Sequence, residues 1–264
     1  MGSPRRSETT APLLDVRGVS LSFRGVKALS DLSFAVARGE ICALIGPNGA
    51  GKSSLLNVLN GVYVPDSGEV VFRGEHFRQI EPSEAARRGV ARTFQNNALF
   101  RKMSTLDNVL AGLARHTRSG FLTQALRLPG ARREERELRA RAETILEFLD
   151  LQPYRDLIVG GLAYGIQKRI ELARALVSSP TLLLLDEPLA GMNAQEKAEM
   201  SEFVRDINRD LGITVVLIEH DVGIVMNLSD HIVVLDYGRK IGDGTPEEIR
   251  SNADVISAYL GTVH

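Results

Sequence analysis

Eight residues, Gly46-Pro47-Asn48-Gly49-Ala50-Gly51-Lys52-Ser53, constrain this chain more than any other stretch. They follow an apolar run, Ile41-Cys42-Ala43-Leu44-Ile45, that reads as a buried strand. They precede Ser54-Leu55-Leu56-Asn57-Val58-Leu59, which reads as a helix. The pattern is G-x-x-x-x-G-K-[ST] in the strand–loop–helix setting that its chemistry needs. Glycines let successive backbone N–H groups turn inward around a phosphate with no Cβ in the way. The helix behind them adds its positive N-terminal end. In such a loop Lys52 reaches the outer phosphates and Ser53 ligates Mg²⁺.

The 264 residues suffice for one large α/β domain or two small ones. Hydrophobic residues make up 44% and charged residues 25%, a globular composition. A formal net charge of −1 gives no general attraction to nucleic acid, and no such partner is expected. The single cysteine, Cys42, cannot form an internal disulfide and suits a reducing cytosol as a small core residue. No apolar run approaches the ~20 residues of a membrane helix. Met1 to Pro12 is polar, lacks the apolar core of a signal peptide, and is expected to be a disordered tail. Any work at a membrane therefore falls to a partner.

From residue 13 to 264 the chain reads as one domain. Leu13–Val16 and Val19–Phe23 are short β-rich runs, expected to pair as an edge hairpin, and Leu32–Val36 alternates as a strand. Pro65–Gly68 is a turn, and Glu69–Phe72 and Ala91–Phe94 are strands. Residues 96–176 turn helical. Ser104 is a cap for a helix over Thr105–Ala114, and Phe121–Gly130 is a loop with a short helix. Arg132–Leu149 carries one apolar stripe, Leu138, Ala142, Ile145, Leu146 and Leu149. Glu135–Arg139 and Glu137–Arg141 are expected as ion pairs on its outer face, so its arginines read as a solvated helix start. Strand and helix then alternate: Leu182–Leu185, Ala194–Leu211, Ile213–Ile218 and Ile232–Leu235, with a turn at Asp236–Gly238. Pro246–Ser251 and Val255–Leu260 read as short terminal helices. The expectation is a core of about 13–95 and 177–264 with a helical part of about 96–176 inserted.

A phosphate loop alone leaves ATPase, GTPase and kinase open. A second signal is Leu182-Leu183-Leu184-Leu185-Asp186-Glu187, two carboxylates at the end of a buried strand. Carboxylates there are costly unless they meet a cation or polarise water. Asp186 would hold Mg²⁺ and Glu187 would deprotonate the attacking water. His220 follows another buried strand, where a histidine can donate to a terminal phosphate. Gln95 follows the strand ending at Phe94, where an amide can touch Mg²⁺ or water. Alone, either is an ordinary loop residue. A guanine-reading Asn-Lys-x-Asp segment does not occur, which argues against a GTP switch.

Together these stretches resemble an ATP-binding cassette (ABC) subunit from about Leu13 to Gly261. Gly46–Ser53 is similar to Walker A, Gln95 to the Q-loop, Leu182–Asp186 with Glu187 to Walker B and its base, and His220 to the switch histidine. Leu162-Ala163-Tyr164-Gly165-Ile166-Gln167-Lys168-Arg169 resembles the ABC signature. The resemblance implies an α/β fold: a P-loop NTPase core with an N-terminal antiparallel β layer and an inserted helical subdomain. It implies ATP and Mg²⁺ as ligands. Gly46, Pro47, Asn48, Gly49, Ala50, Gly51, Lys52, Ser53 and Ser54 would hold the nucleotide, and Phe23 would lie under adenine. Ser53, Gln95 and Asp186 would serve the metal, and Glu187, His220 and Gln95 the chemistry. Ala163, Tyr164, Gly165 and Gln167 would face the ATP of a second subunit. Three positions depart from the family's usual pattern: Ala163 replaces serine, Ile166 replaces glutamine with Gln167 beside it, and Asn193 replaces aspartate.

Phe94–Phe100, the Ala-Tyr signature, Leu189–Asn193, Glu219-His220-Asp221 and Gly244–Arg250 with Val255–Gly261 narrow the resemblance. They are similar to the ATPase subunits of bacterial branched-chain amino-acid importers, with urea importers, lipopolysaccharide extractors and non-transport cassettes as alternatives. That implies ATP hydrolysis coupled to uptake, at the cytoplasmic face of the inner membrane. The implied partners are a second cassette (a copy or a relative), integral-membrane permease subunits, and a periplasmic binding protein.

Overall fold

The computed structural model describes residues 11–93, 98–113 and 129–258. Its strands are β1 (Leu14–Phe23), β2 (Val26–Val36), β3 (Ile41–Ile45), β4 (Ser67–Phe72), β5 (Glu75–Phe77), β6 (Val90–Arg92), β7 (Leu182–Asp186), β8 (Thr214–Ile218), β9 (His231–Asp236) and β10 (Arg239–Gly244). The helices are α1 (Lys52–Leu59), α2 (Pro82–Arg87), α3 (Thr105–Ala111), α4 (Pro129–Phe148), α5 (Tyr164–Leu176), α6 (Ala194–Leu211), α7 (Val222–Leu228), α8 (Pro246–Ser251) and α9 (Ala253–Ala258).

Strands that are apolar on both faces need a layer on each side. The six-stranded sheet, ordered β10-β9-β3-β8-β7-β6, has those layers. Its inner strands run parallel, and β10 closes one edge antiparallel. Ile41, Ala43, Ile45, Leu183, Leu185, Val215 and Leu217 face a core shared with α3 to α9. Cys42, Leu44, Leu182, Leu184, Val216 and Ile218 face the other way, onto α1 and the second sheet. That second sheet, β2-β1-β4-β5, is antiparallel throughout.

Local signals explain most elements. Ser104 Oγ accepts from the Asp107 amide at 3.1 Å, capping α3. Asn193 and Glu196 form a reciprocal capping box at the start of α6, which ends at Gly212. On α4 the expected stripe is buried at Ala142, Ile145 and Leu146, with Leu138 packed beside it and Leu149 buried just past the helix end.

Several expectations are corrected. Leu14 to Phe23 is one strand, and what separates its two apolar runs is a register shift around Gly18. The hairpin turn lies at Arg24–Gly25, both in the left-handed region (φ 48° and 85°), joining β1 to the whole of β2. Similar two-residue turns at Arg73–Gly74 and Tyr237–Gly238 create β5 and β10, polar strands without an apolar alternation to betray them. On α4, Glu137 pairs with Arg133 at 2.8 Å, and Arg141 reaches the Ser179 hydroxyl instead. Helix α3 stops at Ala111, and α2 and α7 were not foreseen. The tail before Ala11, the Phe94–Asn97 stretch, residues 114–128 and the chain after Ala258 lie outside the described residues.

At the edge of the six-stranded sheet away from the phosphate loop, His231 joins β9 to β10. Its Nε2 meets Asp243 at 2.7 Å, and Glu40 lies 3.5 Å from Nδ1. Burial alone would push the imidazole pKa down; Asp243, with the Cys42 thiol and Glu40, outweighs burial and pushes it up to about 12. A histidine whose folded pKa exceeds its unfolded value contributes stability fully below the unfolded pKa and loses it as the pH rises. The unfolding free energy should therefore fall as the pH climbs above about 6.5 toward 12. In His231→Gln that slope should be shallower in denaturant titrations across this range. Parallel slopes for both proteins would refute the pairing.

Candidate functional site

The parallel strands end along one edge of the sheet, where an open α/β sheet offers its crevice. Strand β3 runs directly into Gly46–Gly51, and α1 follows. Gly46 sits at φ 146°, and a Cβ there would stand 2.0 Å from the Leu235 carbonyl oxygen of β9. No side chain fits that approach. Gly51, at the N-cap of α1, offers no side-chain cap, so the first amides of the helix stay available to an anion.

Lys52 is only 9% exposed. Its Nζ donates to the carbonyls of Gly46 at 2.6 Å and Pro47 at 2.9 Å. Burial lowers its pKa, while Glu187 and Asp186 pull the other way. The ammonium is thus held across its own loop by two carbonyl oxygens. Ser53 is exposed and Ser54 half-buried on the first turn of α1.

Asp186 ends β7 on the α1 side of the sheet. Its Oδ2 accepts from Arg92 Nη2 at 2.9 Å, and Arg92 Nη1 donates to Asn57 Oδ1 of α1 at 2.6 Å. Both members of the ion pair are almost fully buried. Losing one partner of such a pair costs about 3–5 kcal/mol, against ~0–1 for the surface pairs of this chain. The second oxygen, Oδ1, is buried and has no hydrogen-bond partner among the described residues. A carboxylate oxygen in that position suits a hard divalent cation, and the Ser53 hydroxyl on the neighbouring helix is a donor of the same kind. The residues present fit Mg²⁺. Gln95 lies outside the described residues.

Glu187 follows with φ 50°, the left-handed region, which costs a non-glycine residue about 1–2 kcal/mol. Its amide donates to the Ile218 carbonyl at 3.0 Å. Two residues on, the Leu189 amide donates to Glu219 Oε1 at 2.9 Å. Glu219 is 1% exposed, and burial raises its pKa against the pull of the Leu189 and His220 amides. The adjacent His220 side chain is 60% exposed, with Nδ1 3.8 Å from Glu219 Oε2.

Phe23 stands exposed at the tip of the β1–β2 hairpin, its ring edge-on to Tyr63 with centroids 5.0 Å apart. The same hairpin abuts the phosphate loop, since Ala28 borders Gly51. Ala163 and Tyr164 are exposed at the start of α5, whose N-cap Ala163 provides no side-chain cap. Gly165 is buried against Glu196, and the Tyr164 ring covers Gly191 in the turn after β7. Gln167 Nε2 turns back to the Leu162 carbonyl at 2.7 Å.

Arg92, Asn57 and Glu219 were assigned no part from sequence. Arg92 read as one residue of a strand, and Glu219 stood in view beside His220 without a partner to give it meaning. Nearby, a groove of about 480 Å³ separates α2 and β6 from α3 and α5, with Arg87, Arg92, Phe100, Glu171 and Arg174 in its lining. Phe100 is half exposed, yet the buried Asn108 fixes its backbone by accepting from its amide at 2.8 Å and donating to its carbonyl at 3.1 Å.

Comparison with known proteins agrees with this arrangement. Residues 29–190 match the ABC transporter family, and residues 239–264 match the branched-chain amino acid ATP-binding cassette transporter family. The chain is 41% identical over 250 residues to the high-affinity branched-chain amino acid transport ATP-binding protein BraF of Pseudomonas aeruginosa, covering 95% of this chain and 98% of that one. It is likewise 41% identical over 250 residues to the high-affinity branched-chain amino acid transport ATP-binding protein LivG of Escherichia coli, with the same coverage. A probable LivG of Archaeoglobus fulgidus is 35% identical over 94% of this chain and 95% of its own length. Among solved structures, a nucleotide-free ATP-binding cassette from an ABC transporter superposes with a TM-score of 0.82 at 32% identity, covering 94% of this chain and 99% of that one. A cassette in its ADP conformation gives 0.83 at 33% identity, covering 96% and 100%. With a family match over more than half of its length and relatives alike along nearly all of it, the chain belongs to the ABC transporter family as an ATP-binding cassette.

Proposed function

We propose that this chain is the ATP-hydrolysing subunit of a bacterial importer for branched-chain or related amino acids. The observation that carries this reading is the convergence of the Gly46–Ser53 loop with Asp186 and Glu187 at one sheet edge, in a chain similar end to end to BraF and LivG. The amides of Gly46–Ser54 and the Lys52 ammonium bind the phosphates, and Phe23 stacks on adenine. Ser53, Gln95 and Asp186 would hold Mg²⁺, which would supply positive charge against the transferred phosphoryl group. Glu187 accepts the proton of the attacking water, and His220 donates to the γ-phosphate. The start of α5, with Ala163, Tyr164, Gly165 and Gln167, faces the ATP bound by a second cassette, a copy or a relative.

In this reading residues 13–95 and 177–264 form the nucleotide-binding core, and 96–176 form an inserted helical part. ATP closes the pair of cassettes, and hydrolysis reopens it. The groove beside Phe100 takes a helix of the membrane permease, with a periplasmic binding protein on the far side. The chain works beside the permease as a peripheral subunit at the cytoplasmic face of the inner membrane. Among the described residues no helix is long and apolar enough to cross a membrane.

Lys52→Ala should weaken ATP binding by at least about tenfold, read by titration with a fluorescent ATP analogue. Unchanged affinity would count against the loop. Glu187→Gln should keep ATP affinity and lower turnover by about 10²–10⁴. Cells whose only copy carries that variant, with the permease still present, should lose uptake of labelled leucine. Retained leucine uptake beside abolished hydrolysis would remove the substrate class, and urea uptake and outer-membrane lipid defects would then be measured.

A further inference from the structure

Glu187 occupies a backbone region that a residue with a Cβ holds only when its surroundings fix it. Two hydrogen bonds do so here. Its own amide is tied to the Ile218 carbonyl at 3.0 Å, and the Leu189 amide to Glu219 Oε1 at 2.9 Å. The segment 187–189 is thereby fastened at both ends to residues 218–219, the end of the strand that delivers His220. The second fastening comes from a side chain, and that side chain is a carboxylate 1% exposed. An acid is costly to bury merely to fill space, and an apolar residue would do that better. Its other oxygen stands 3.3 Å from the His220 amide.

We propose that Glu219 is a positioning residue, a brace that holds the turn of Glu187 in register with the switch-histidine segment. It acts through the Leu189 amide on the backbone that aims Glu187, and it keeps Glu187 and His220 on one rigid frame. This rests on the reading of Glu187 as the base, and the experiment separates the two.

Glu219→Met fills the same volume without an acceptor, Glu219→Ala empties it, and Glu219→Gln keeps one oxygen for the Leu189 amide. Steady-state hydrolysis, ATP affinity and thermal midpoint are measured on the purified full chain, beside Glu187→Gln. Glu219→Met and Glu219→Ala should lower kcat by about tenfold with ATP affinity within about twofold of wild type. Glu219→Gln should recover most of kcat. A kcat near wild type in Glu219→Met, beside an inactive Glu187→Gln, overturns the brace alone. So does a Glu219→Gln as slow as Glu219→Met, or a loss of nucleotide affinity that matches the loss of kcat. Full turnover in Glu187→Gln overturns the base and the brace together.

Discussion

Strands β3, β7 and β8 are buried on both faces, and this leaves polar chemistry one place to emerge from them, their ends. Inside the sheet a charged side chain would meet only aliphatic neighbours, at a cost no single hydrogen bond offsets. Because these strands are parallel, their carboxyl ends line one edge. The phosphate loop, Asp186, Glu187, Glu219 and His220 gather there for that reason, though up to 174 residues separate them in the chain. Even at the edge the cost shows. Asp186 carries a buried arginine on one oxygen, and Lys52 is held by two carbonyls.

What the sequence revealed was what its local pattern encodes. The phosphate loop needs eight consecutive residues, the α4 stripe a helical period, and the α3 cap a serine three residues before an aspartate. Asp186-Glu187 stood out because four leucines precede it. The polar edge strands escaped because β10 reads Arg-Lys-Ile-Gly-Asp-Gly, with Ile241 its only apolar side chain and so no alternation. The turn before β10 was read from sequence all the same, at Asp236–Gly238, while the Arg73–Gly74 turn before β5 was not. The contacts that finish the site were hidden by distance along the chain. Arg92 meets Asp186 across 94 residues, and Glu219 meets Leu189 across 30. Only the strand order puts them together.

Buried and surface charges carry different weight in this fold. Among the described residues most ion pairs lie at the surface, several of them on α2, α4 and α6, where a pair is worth little and either partner can change. Arg92–Asp186 is enclosed, with Asn57 Oδ1 accepting from the same guanidinium. It joins three elements, β6, β7 and α1, and β6 leads within two residues to the segment that carries Gln95. Arg92 also lines the groove beside Phe100, so this ion pair ties that groove to the carboxylate proposed to bind the metal.

Helix starts tell the same story in a second way. Five helices satisfy a first amide with a side chain: α3 with Ser104, α6 with Asn193, α7 with Asp221, α8 with Thr245 and α9 with Asn252. Helix α2 opens on a proline, which removes a donor. Two longer helices have neither device, α1 behind Gly51 and α5 behind Ala163. An uncapped N-terminus costs about 1 kcal/mol, and the fold makes good that loss at its other helices. In α1 the phosphate loop supplies the reason, since an anion there takes the place of a cap. The same reason for α5 requires an anion too, and its neighbours within the chain are Gly191 and the carboxylate-bearing Glu196. In the function proposed above, the phosphate of a second cassette's ATP takes that place, and the missing cap at Ala163 supports that reading.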